Sequence, residues 1–383
     1  MTMTMTLARR AAAASAAALA ITAFGYVPGA AAQAVSPAQP ASPAAPAAAM
    51  TGRACPPDGV ALSFSDSLDK LVHDGIALGG LSSLAFDRRS AAWVSAVDNH
   101  GTDPARIWFF RNLQDPTVIR DPLVLKKPDG TPYDGTTSDN EGLAVLPNGD
   151  YLVSSEAEPS IRIYDRNGIQ QASLPVPARF AVTGTTPAGQ ATSNATLEGL
   201  TIAPSGHEII AAMEGALSGD IGSAGDATLH RFLVYHQGAF GRWQLSKQIA
   251  YRTDPGMRVP EVAAYNDNSF LVEEASFSAT TGNTINLYAV KNLQRAPDVS
   301  GVTNLSLAPA SDVVAKRLVS NVTDCPTLGA TSPEPQTNPL MDNYEGMAVT
   351  PSPGGAAAVS MISDDNFSAG QVTRVLNLAV RLP

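Results

Sequence analysis

The sequence is poor in positive charge. Its 25 lysine and arginine residues face 35 aspartate and glutamate residues, which gives a formal net charge of −10 at pH 7. Nucleic acids and anionic membranes are bound by basic surfaces, so this balance argues against both as partners. The chain also lacks a strongly apolar run of about 20 residues, the length that a membrane-spanning helix needs. We therefore expect a monomer without a membrane span, whose acidic surface is compatible with cation binding.

The motifs of several enzyme classes are absent as well. The sequence contains neither a Gly-x-Ser-x-Gly turn nor a glycine-rich phosphate loop of the Walker type. It contains neither His-Glu-x-x-His nor paired Cys-x-x-Cys, so zinc sites of those types have no support. Four of the five histidines, His73, His100, His207 and His236, are scattered along the chain. Any hydrolase built on this chain would work without an evident serine or cysteine nucleophile.

Residues 1–34 have the features of an export signal. Arg9 and Arg10 precede an alanine-rich apolar segment, and Ala32-Gln33-Ala34 fits the small-x-small cleavage pattern. Residues 35–54 form a Pro/Ala-rich linker with little to bury. We expect cleavage near Ala34, a secreted or periplasmic protein, and one folded domain over residues 55–383.

Residues 138–165 set the pattern for the rest of the chain. Their sequence, SDNEGLAVLPNGDYLVSSEAEPSIRIYD, holds three short apolar runs separated by turn residues, a spacing typical of antiparallel strands. Glu141 precedes the first run and Glu156 follows the second. The start of one strand and the end of the next lie at the same end of a hairpin. Both carboxylates are therefore expected at one edge of one small sheet.

The same arrangement recurs four more times, twice clearly and twice weakly. The equivalent pairs are Glu198 with Glu214, Glu345 with Asp364, Glu261 with Glu274, and Ser82 with Asp98. Each interval between first positions has room for about four short strands, which predicts an all-β fold, a β-propeller of five repeats. The long interval from 261 to 345 contains an insertion near residues 292–312 that leaves a sixth blade possible.

The N-terminal strand is expected to close the ring. The last repeat has strand candidates near 346–350, 356–361 and 371–381, and no sequence for a fourth strand. The run from Val60 to Phe64 can supply it. A disulfide between Cys55 and Cys325, the two cysteines of the sequence, would fasten this strand beside the segment that enters the last repeat. Two unrelated thiols are the alternative.

Propeller geometry brings the acidic positions together at one mouth of the central channel. Hard oxygen ligands at this density suit Ca²⁺, which takes six to eight oxygens in flexible geometry. In the alternative, each glutamate accepts hydrogen bonds from backbone amides of the neighbouring blade and only fastens the ring. The candidate metal ligands are Glu141, Glu198, Glu261, Glu345, Glu274, Asp98 and Asp364.

A second set of candidates is basic. Arg106, Arg162 and Arg231 stand at the start of third strands, which begin at the same mouth, and Arg258 precedes Glu261. The planar guanidinium suits a phosphate or a carboxylate ligand. Pairing with a neighbouring carboxylate is the alternative role for each of them.

Five sequence blocks together resemble the phytase-like family, exported bacterial proteins described as having esterase-like activity of phytase. The blocks are GGLSSLAFD, SDNEGLAVLPNGDYLVSSE, LEGLTIAPSGHEIIAAMEG, YEGMAVTP and SMISDDNF, in this order over nearly all of residues 60–380. The resemblance implies a propeller similar to the calcium-dependent β-propeller phytases, which hold Ca²⁺ and phosphate in their channel. The acidic positions it carries over are Glu141, Glu156, Glu198, Glu214 and Glu345.

Two functions of different classes follow. In the first, Ca²⁺ on the glutamates assists hydrolysis of a small phosphorylated or ester substrate, Glu156 or Glu214 orients or deprotonates the attacking water, and arginines stabilise the developing charge. In the second, the chain is a non-catalytic extracytoplasmic propeller that binds a ligand or a protein, and calcium is structural. A carboxylesterase ranks last because the nucleophile is missing.

Overall fold

The computed structural model describes residues 53–98, 101–184, 189–352 and 354–383, and these contain no α-helix. The predicted export signal and most of the linker lie outside the described residues. The first twelve strands are β1 (Ala54–Cys55), β2 (Gly59–Ser65), β3 (Val72–His73), β4 (Ile76–Ala77), β5 (Ala85–Asp87), β6 (Ala92–Ala96), β7 (Arg106–Arg111), β8 (Thr117–Val118), β9 (Leu123–Val124), β10 (Asn140–Val145), β11 (Tyr151–Ser155) and β12 (Ser160–Tyr164).

The second half of the chain supplies the remaining strands. They are β13 (Gln170–Ser173), β14 (Leu197–Ile202), β15 (Glu208–Met213), β16 (Leu229–Gln237), β17 (Trp243–Arg252), β18 (Val262–Asn266), β19 (Ser269–Ser278), β20 (Gly282–Lys291), β21 (Lys316–Asn321), β22 (Tyr344–Pro351), β23 (Ala356–Ser363) and β24 (Val375–Arg381). Short 3-10 helices span Ala178–Phe180, Ser218–Asp220, Ala239–Gly241, Leu293–Arg295, Leu305–Leu307 and Ala310–Asp312.

Apart from the two-stranded hairpin β3-β4, the described strands form five antiparallel sheets, which are the five blades predicted from the repeats. Blade 1 is β5-β6-β7-β8 with β9 beside β7, blade 2 is β10 to β13, blade 3 is β14 to β17, and blade 4 is β18 to β21. Blade 5 has the order β1-β2-β24-β23-β22. The innermost strands β5, β10, β14, β18 and β22 neighbour one another in turn, and β22 returns to β5. A buried apolar cluster fills each of the five seams between adjacent blades.

The segment between β20 and β21 settles the number of blades within the described residues. It forms three 3-10 helices and no strand, so it is an insertion and not a sixth blade. Arg231 holds this segment in place because its Nη1 donates to the carbonyl oxygen of Val299 and its Nη2 to that of Val302. The five-blade alternative is therefore the correct one.

The prediction of an N-terminal closing strand is confirmed. Strand β2 pairs antiparallel with β24, with Ala61 opposite Leu378. The predicted disulfide is present between Cys55 and Cys325, and the amide of Asp58 also donates to Val319 O at 3.0 Å. The closing segment is thus fastened to blade 4 as well as paired within blade 5.

Replacing both cysteines, Cys55→Ser with Cys325→Ser, is expected to lower the free energy of unfolding by about 2–5 kcal/mol. The disulfide closes a loop with a sequence separation of 270 residues, so its loss frees the unfolded chain from a long-range constraint. Urea unfolding followed by tryptophan fluorescence measures the effect. Reductant should destabilise the wild-type protein and leave the double variant unchanged. Equal urea midpoints for the two proteins would contradict the prediction.

Candidate functional site

Local irregularities at the start of the inner strands direct three glutamates toward the mouth. The pairing of β10 with β11 shifts register between Asn140 and Leu143, and equivalent shifts occur at the start of β14 and β22. Such bulges bend the strand and redirect side chains. Glu141, Glu198 and Glu345 occupy these three bulges, and each offers a carboxylate oxygen within 4.8 Å of the other two.

The glycine after each of these glutamates permits the close approach of the inner strands. A Cβ atom on Gly142 would lie 2.4 Å from Leu200 Cβ, and one on Gly199 would lie 2.8 Å from the Cα of Glu261. Real Cβ atoms do not come this close to such neighbours, so only glycine fits. The Glu-Gly dipeptide of the repeat therefore combines a carboxylate at the mouth with the tight packing of the ring.

The second strands deliver further carboxylates to the same place. The backbone amide of Glu156 donates to Asp139 O at 2.9 Å, and that of Glu214 donates to Thr196 O at 2.7 Å, which fixes both residues beside the inner-strand starts. Glu156, Glu198 and Glu214 form a second group of oxygens within 4.8 Å, and Asp98, Asp139 and Glu141 form a third. With the adjacent Asp364, we call this set the acidic cluster. Its members are Asp98, Asp139, Glu141, Glu156, Glu198, Glu214, Glu345 and Asp364.

Five members of the acidic cluster are buried, and the carboxylates repel one another. The half-buried members are Asp98, Asp139 and Glu214. Burial first, and then the neighbouring carboxylates, raise the pKa values of Glu141 and Glu198 well above the ordinary value. The same causes raise the pKa of Glu156 to about 8 and that of Asp98 to about 11. Without a cation the cluster therefore retains protons that free carboxylic acids would lose.

Arg258, in the segment between β17 and β18, supplies positive charge to the acidic cluster. Its Nη1 lies 3.0 Å from Glu214 Oε1 and 3.7 Å from Glu198 Oε1, and its Nη2 lies 3.0 Å from Glu345 Oε1. Nη2 also donates to Asn343 Oδ1 at 2.7 Å. Burial lowers the pKa of Arg258, but the three carboxylates outweigh burial and raise it above its usual value. One guanidinium thus offsets part of the charge of eight carboxyl groups.

Buried oxygens of three cluster members, Asp139, Glu198 and Asp364, have no hydrogen-bond partner in the described part of the chain. Glu198 is 4% exposed, and its Oε2 has no hydrogen-bond partner. Buried polar atoms are nearly always paired, so an unpaired carboxylate oxygen aimed at other carboxylates favours a cation as the missing partner. The hard oxygen donors of this set suit a divalent ion such as Ca²⁺.

Two predicted metal ligands lie outside the acidic cluster, because blade 4 lacks the bulge at the start of its inner strand. There the register runs unbroken from Val262 opposite Val272 to Ala264, and the shift comes only after Ala264. Glu261 is 1% exposed and accepts from the amides of Leu200 at 2.9 Å and Val262 at 2.8 Å. Glu261 therefore fastens the inner strands of blades 3 and 4 to each other through backbone amides, which was the alternative to metal binding.

Glu274 points away from the mouth. It accepts from the hydroxyl of Tyr251 at 2.6 Å and forms an ion pair with Lys316 at 2.5 Å. Its neighbour Glu273 is fully buried with neither carboxylate oxygen hydrogen-bonded within the described residues. Burial raises its pKa, an effect opposed by Arg258 and increased by Glu261.

The three predicted strand-start arginines contact other groups. Arg231 is fully buried in a paired arrangement with Asp220, with Nε 2.6 Å from Oδ2, so a dissolved phosphate has no access to it here. Arg162 donates to Ser138 Oγ at 2.9 Å and lies over the ring of Tyr133. Arg106 donates to Pro104 O at 3.1 Å. Of the basic candidates, Arg258 is the one that the structure shows within the acidic cluster.

Asp139 and Glu273 were missed as candidates by the sequence analysis. Asp139 stands directly before Asn140-Glu141, and the acidic run of that repeat could have revealed it. Nothing in the sequence distinguishes Glu273 from Glu274, because only the register of β19 decides which of two adjacent residues faces the ring.

A family model described as phytase-like, esterase-like activity of phytase, matches residues 76–367. The chain belongs to the phytase-like family. This confirms the resemblance drawn from the five sequence blocks. No curated protein matches the phytase-like chain.

Several solved structures resemble this phytase-like protein weakly. A protein of unknown function from Dyadobacter fermentans is 10% identical, with a TM-score of 0.42 over 86% of this chain and 100% of that one. The periplasmic gluconolactonase of Pseudomonas aeruginosa is 13% identical, with a TM-score of 0.33 over 82% of this chain and 87% of the other. The α-L-arabinofuranosidase of Lactobacillus brevis is 9% identical, with a TM-score of 0.41 over 79% and 91%. These likenesses carry no conclusion about activity.

The stability of the metal-free protein is expected to fall as the pH rises from about 6.5 to about 8. Glu156 has a folded pKa of about 8 against an ordinary value of 4.5, so the folded state binds more protons than the unfolded state within this window. The loss is on the order of 1 kcal/mol per pH unit for such a group. Asp87, whose pKa is lowered to about 2, contributes a constant term here because it is ionised in both states. At lower pH His230 opposes the fall, because burial lowers its pKa from 6.5 to about 4. Urea unfolding in chelator at several pH values measures the slope, and stability that is flat or rises with pH would refute the expectation.

Proposed function

We propose that this phytase-like protein hydrolyses phosphate esters with Ca²⁺ held by the acidic cluster. The observation that carries the proposal is the presence of three adjoining triads of carboxylate side chains. Glu141 belongs to two of the triads, and so does Glu198, which lies beside Arg258. Bound calcium would neutralise phosphate oxygens and activate water, the chemistry that metal-assisted hydrolysis needs. The oxygens of Glu141, Glu198 and Glu345 fit such an ion by type and by spacing.

The protein's own residues would complete the site. Arg258 presents a guanidinium that is 26% exposed, so it can bind a phosphoryl oxygen while Glu214 and Glu345 hold its position. Glu214 is engaged by Arg258, which leaves Glu156 as the carboxylate to orient the attacking water. Glu156 is itself fixed by accepting a hydrogen bond from the amide of Thr196. No covalent intermediate is needed in this scheme.

Export is part of the proposal. The disulfide between Cys55 and Cys325 is of the kind that forms outside the cytoplasm. In the described part of the chain, no helix has the length and apolar character needed to cross a bilayer. We propose a secreted or periplasmic protein that is released by cleavage near Ala34.

The test is phosphate release by the purified mature protein. The substrates are phosphomonoesters that include phytate and a p-nitrophenyl phosphate, each assayed with Ca²⁺ and with chelator. We expect turnover that needs calcium. Absence of turnover with every ester, together with a melting temperature raised by Ca²⁺, would reject the enzyme and support the second candidate, a binding propeller with structural calcium. The hydrogen bonds that Glu261 accepts from two backbone amides support this second candidate, because they fasten neighbouring strands without a metal ion.

A further inference from the structure

A separate cavity of about 640 Å³ lies at the rim of the mouth, beside the acidic cluster. Two hydrogen bonds of Gly80 place the cavity next to the acidic cluster. Gly80 N donates to Asp365 Oδ1 at 3.0 Å, and Gly80 O accepts from the amide of Asp98 at 2.8 Å. Side chains around the cavity include Asp69, Lys70, Thr331, Ser332, Phe367 and Gln371. We call it the rim pocket.

An aromatic ring forms one wall of the rim pocket. Phe367 is 42% exposed, and its side chain lines the cavity. Its ring packs against two glycines, since a Cβ atom on Gly79 would lie 2.9 Å from Cδ1 and one on Gly80 would lie 2.7 Å from Cε2. Asn366 and Phe367 both have positive φ, 45° and 51°, a conformation that side-chain-bearing residues rarely adopt. Backbone strain of this kind persists where the surrounding structure enforces it, and it presents the ring to the cavity.

The other lining side chains are mostly polar, and each charged one has a partner of opposite charge. Lys70 forms an ion pair with the buried carboxylate of Asp365, and its Nζ also donates to Gln371 O at 3.0 Å. Asp69 accepts from the amide of Thr373 at 2.9 Å and remains 27% exposed. The ammonium of Lys70 is therefore largely neutralised, which makes the pocket a poor binding site for a free phosphate. The pocket nonetheless offers carboxylate, ammonium, amide and hydroxyl groups within one small volume.

We infer that the rim pocket binds the ring of an uncharged carbohydrate. The C–H faces of a sugar pack on an aromatic ring, and its hydroxyl groups both donate and accept, as this mixed polar wall requires. A purely apolar ligand would remove water from Asp69 and Lys70, which are 27% and 42% exposed, and would offer no hydrogen bond in its place, at a cost in free energy. The inference goes beyond the proposed hydrolase and does not depend on it, because the pocket and the acidic cluster use different side chains.

Saturation-transfer NMR with unphosphorylated sugars tests the inference in the absence of calcium. The probes are glucose, galactose, mannose and N-acetylglucosamine, and indole serves as an uncharged aromatic probe. We expect transfer to the ring protons of at least one sugar, and affinity weakened about tenfold or more in Phe367→Ala. Phe367→Trp should retain binding because it keeps an aromatic wall.

Phe277→Ala provides the matched control, since Phe277 is a 62% exposed phenylalanine on β19. It should bind sugar as the wild-type protein does. Melting temperatures of all variants establish that they are folded. The inference is overturned if none of the four sugars receives transfer, if transfer is unchanged in Phe367→Ala, or if only indole binds.

Discussion

Glu198→Gln is expected to abolish calcium-dependent phosphate release and, at the same time, to stabilise the metal-free protein at pH 8. Glu198 belongs to two of the three carboxylate groups, so its loss damages both. Losing one charged ligand should reduce kcat by about 100-fold or more. The amide is neutral without binding a proton, so the folded state no longer has to take up a proton or hold a repelling charge at this position, which should add about 1–2 kcal/mol to the free energy of unfolding in chelator. Kinetic assays and urea unfolding with and without Ca²⁺ measure the two effects.

Glu208→Gln is the matched control for Glu198→Gln. Glu208 begins β15, the strand whose other end leads to Glu214, so the control changes the same chemical group at the far end of the same strand. It should leave both activity and calcium stabilisation unchanged. Glu198→Gln with full activity would remove the acidic cluster from the proposed mechanism. Retained calcium stabilisation in that variant would show that the ion binds elsewhere.

Arg258→Met is expected to destabilise the metal-free protein by about 3–5 kcal/mol, and added Ca²⁺ should recover most of that loss. Removing one partner of a buried ion pair leaves the opposite charges uncompensated. Here Glu198, Glu214 and Glu345 would lose their guanidinium together. A divalent ion can replace the missing positive charge, so the stabilisation by Ca²⁺ should be larger in the variant than in the wild-type protein. Differential scanning calorimetry in chelator and in calcium measures the loss of stability and its recovery by Ca²⁺.

Arg252→Met tests whether the effect of Arg258→Met is specific. Arg252 pairs with Asp226, but its side chain is 49% exposed, and exposed ion pairs contribute about 1 kcal/mol or less. Its replacement should therefore change stability little and should not alter the response to Ca²⁺. If calcium fails to recover stability in Arg258→Met, the acidic cluster does not bind calcium without this arginine.

The repeats could be predicted from the sequence because local rules determine them. Alternating apolar residues and turn dipeptides such as Asn148-Gly149 fix strand and turn in each blade independently of the rest of the fold. The origin of the fourth strand of the last blade could also be predicted, because a propeller must close and the N-terminal segment was the remaining candidate to close it.

The site could be predicted only in part, because register is not a local property. Glu141 and Glu261 look equivalent in the sequence, yet the bulge that directs Glu141 to the mouth is absent at the start of β18. A shift of one residue exchanges the two faces of a strand, so Glu273 and not Glu274 faces the ring. Arg231 lies outside the acidic cluster for a different reason. Its partner Asp220 belongs to an irregular connection between two strands, and the periodicity of apolar residues does not predict the path of such a connection.

The closing strand also determines the order in which this chain can fold. Gly59 pairs with Val380, so the final sheet joins residues from opposite ends of the domain. During synthesis β1 and β2 emerge first, and the edge of β2 that pairs with β24 has no partner until the last strand has been made. Contacts between such distant residues are slow to form, because a long loop must be ordered before they contribute any stability. Until β24 arrives, this edge of β2 remains unpaired, and a chain truncated before that strand would keep that edge exposed to aggregation.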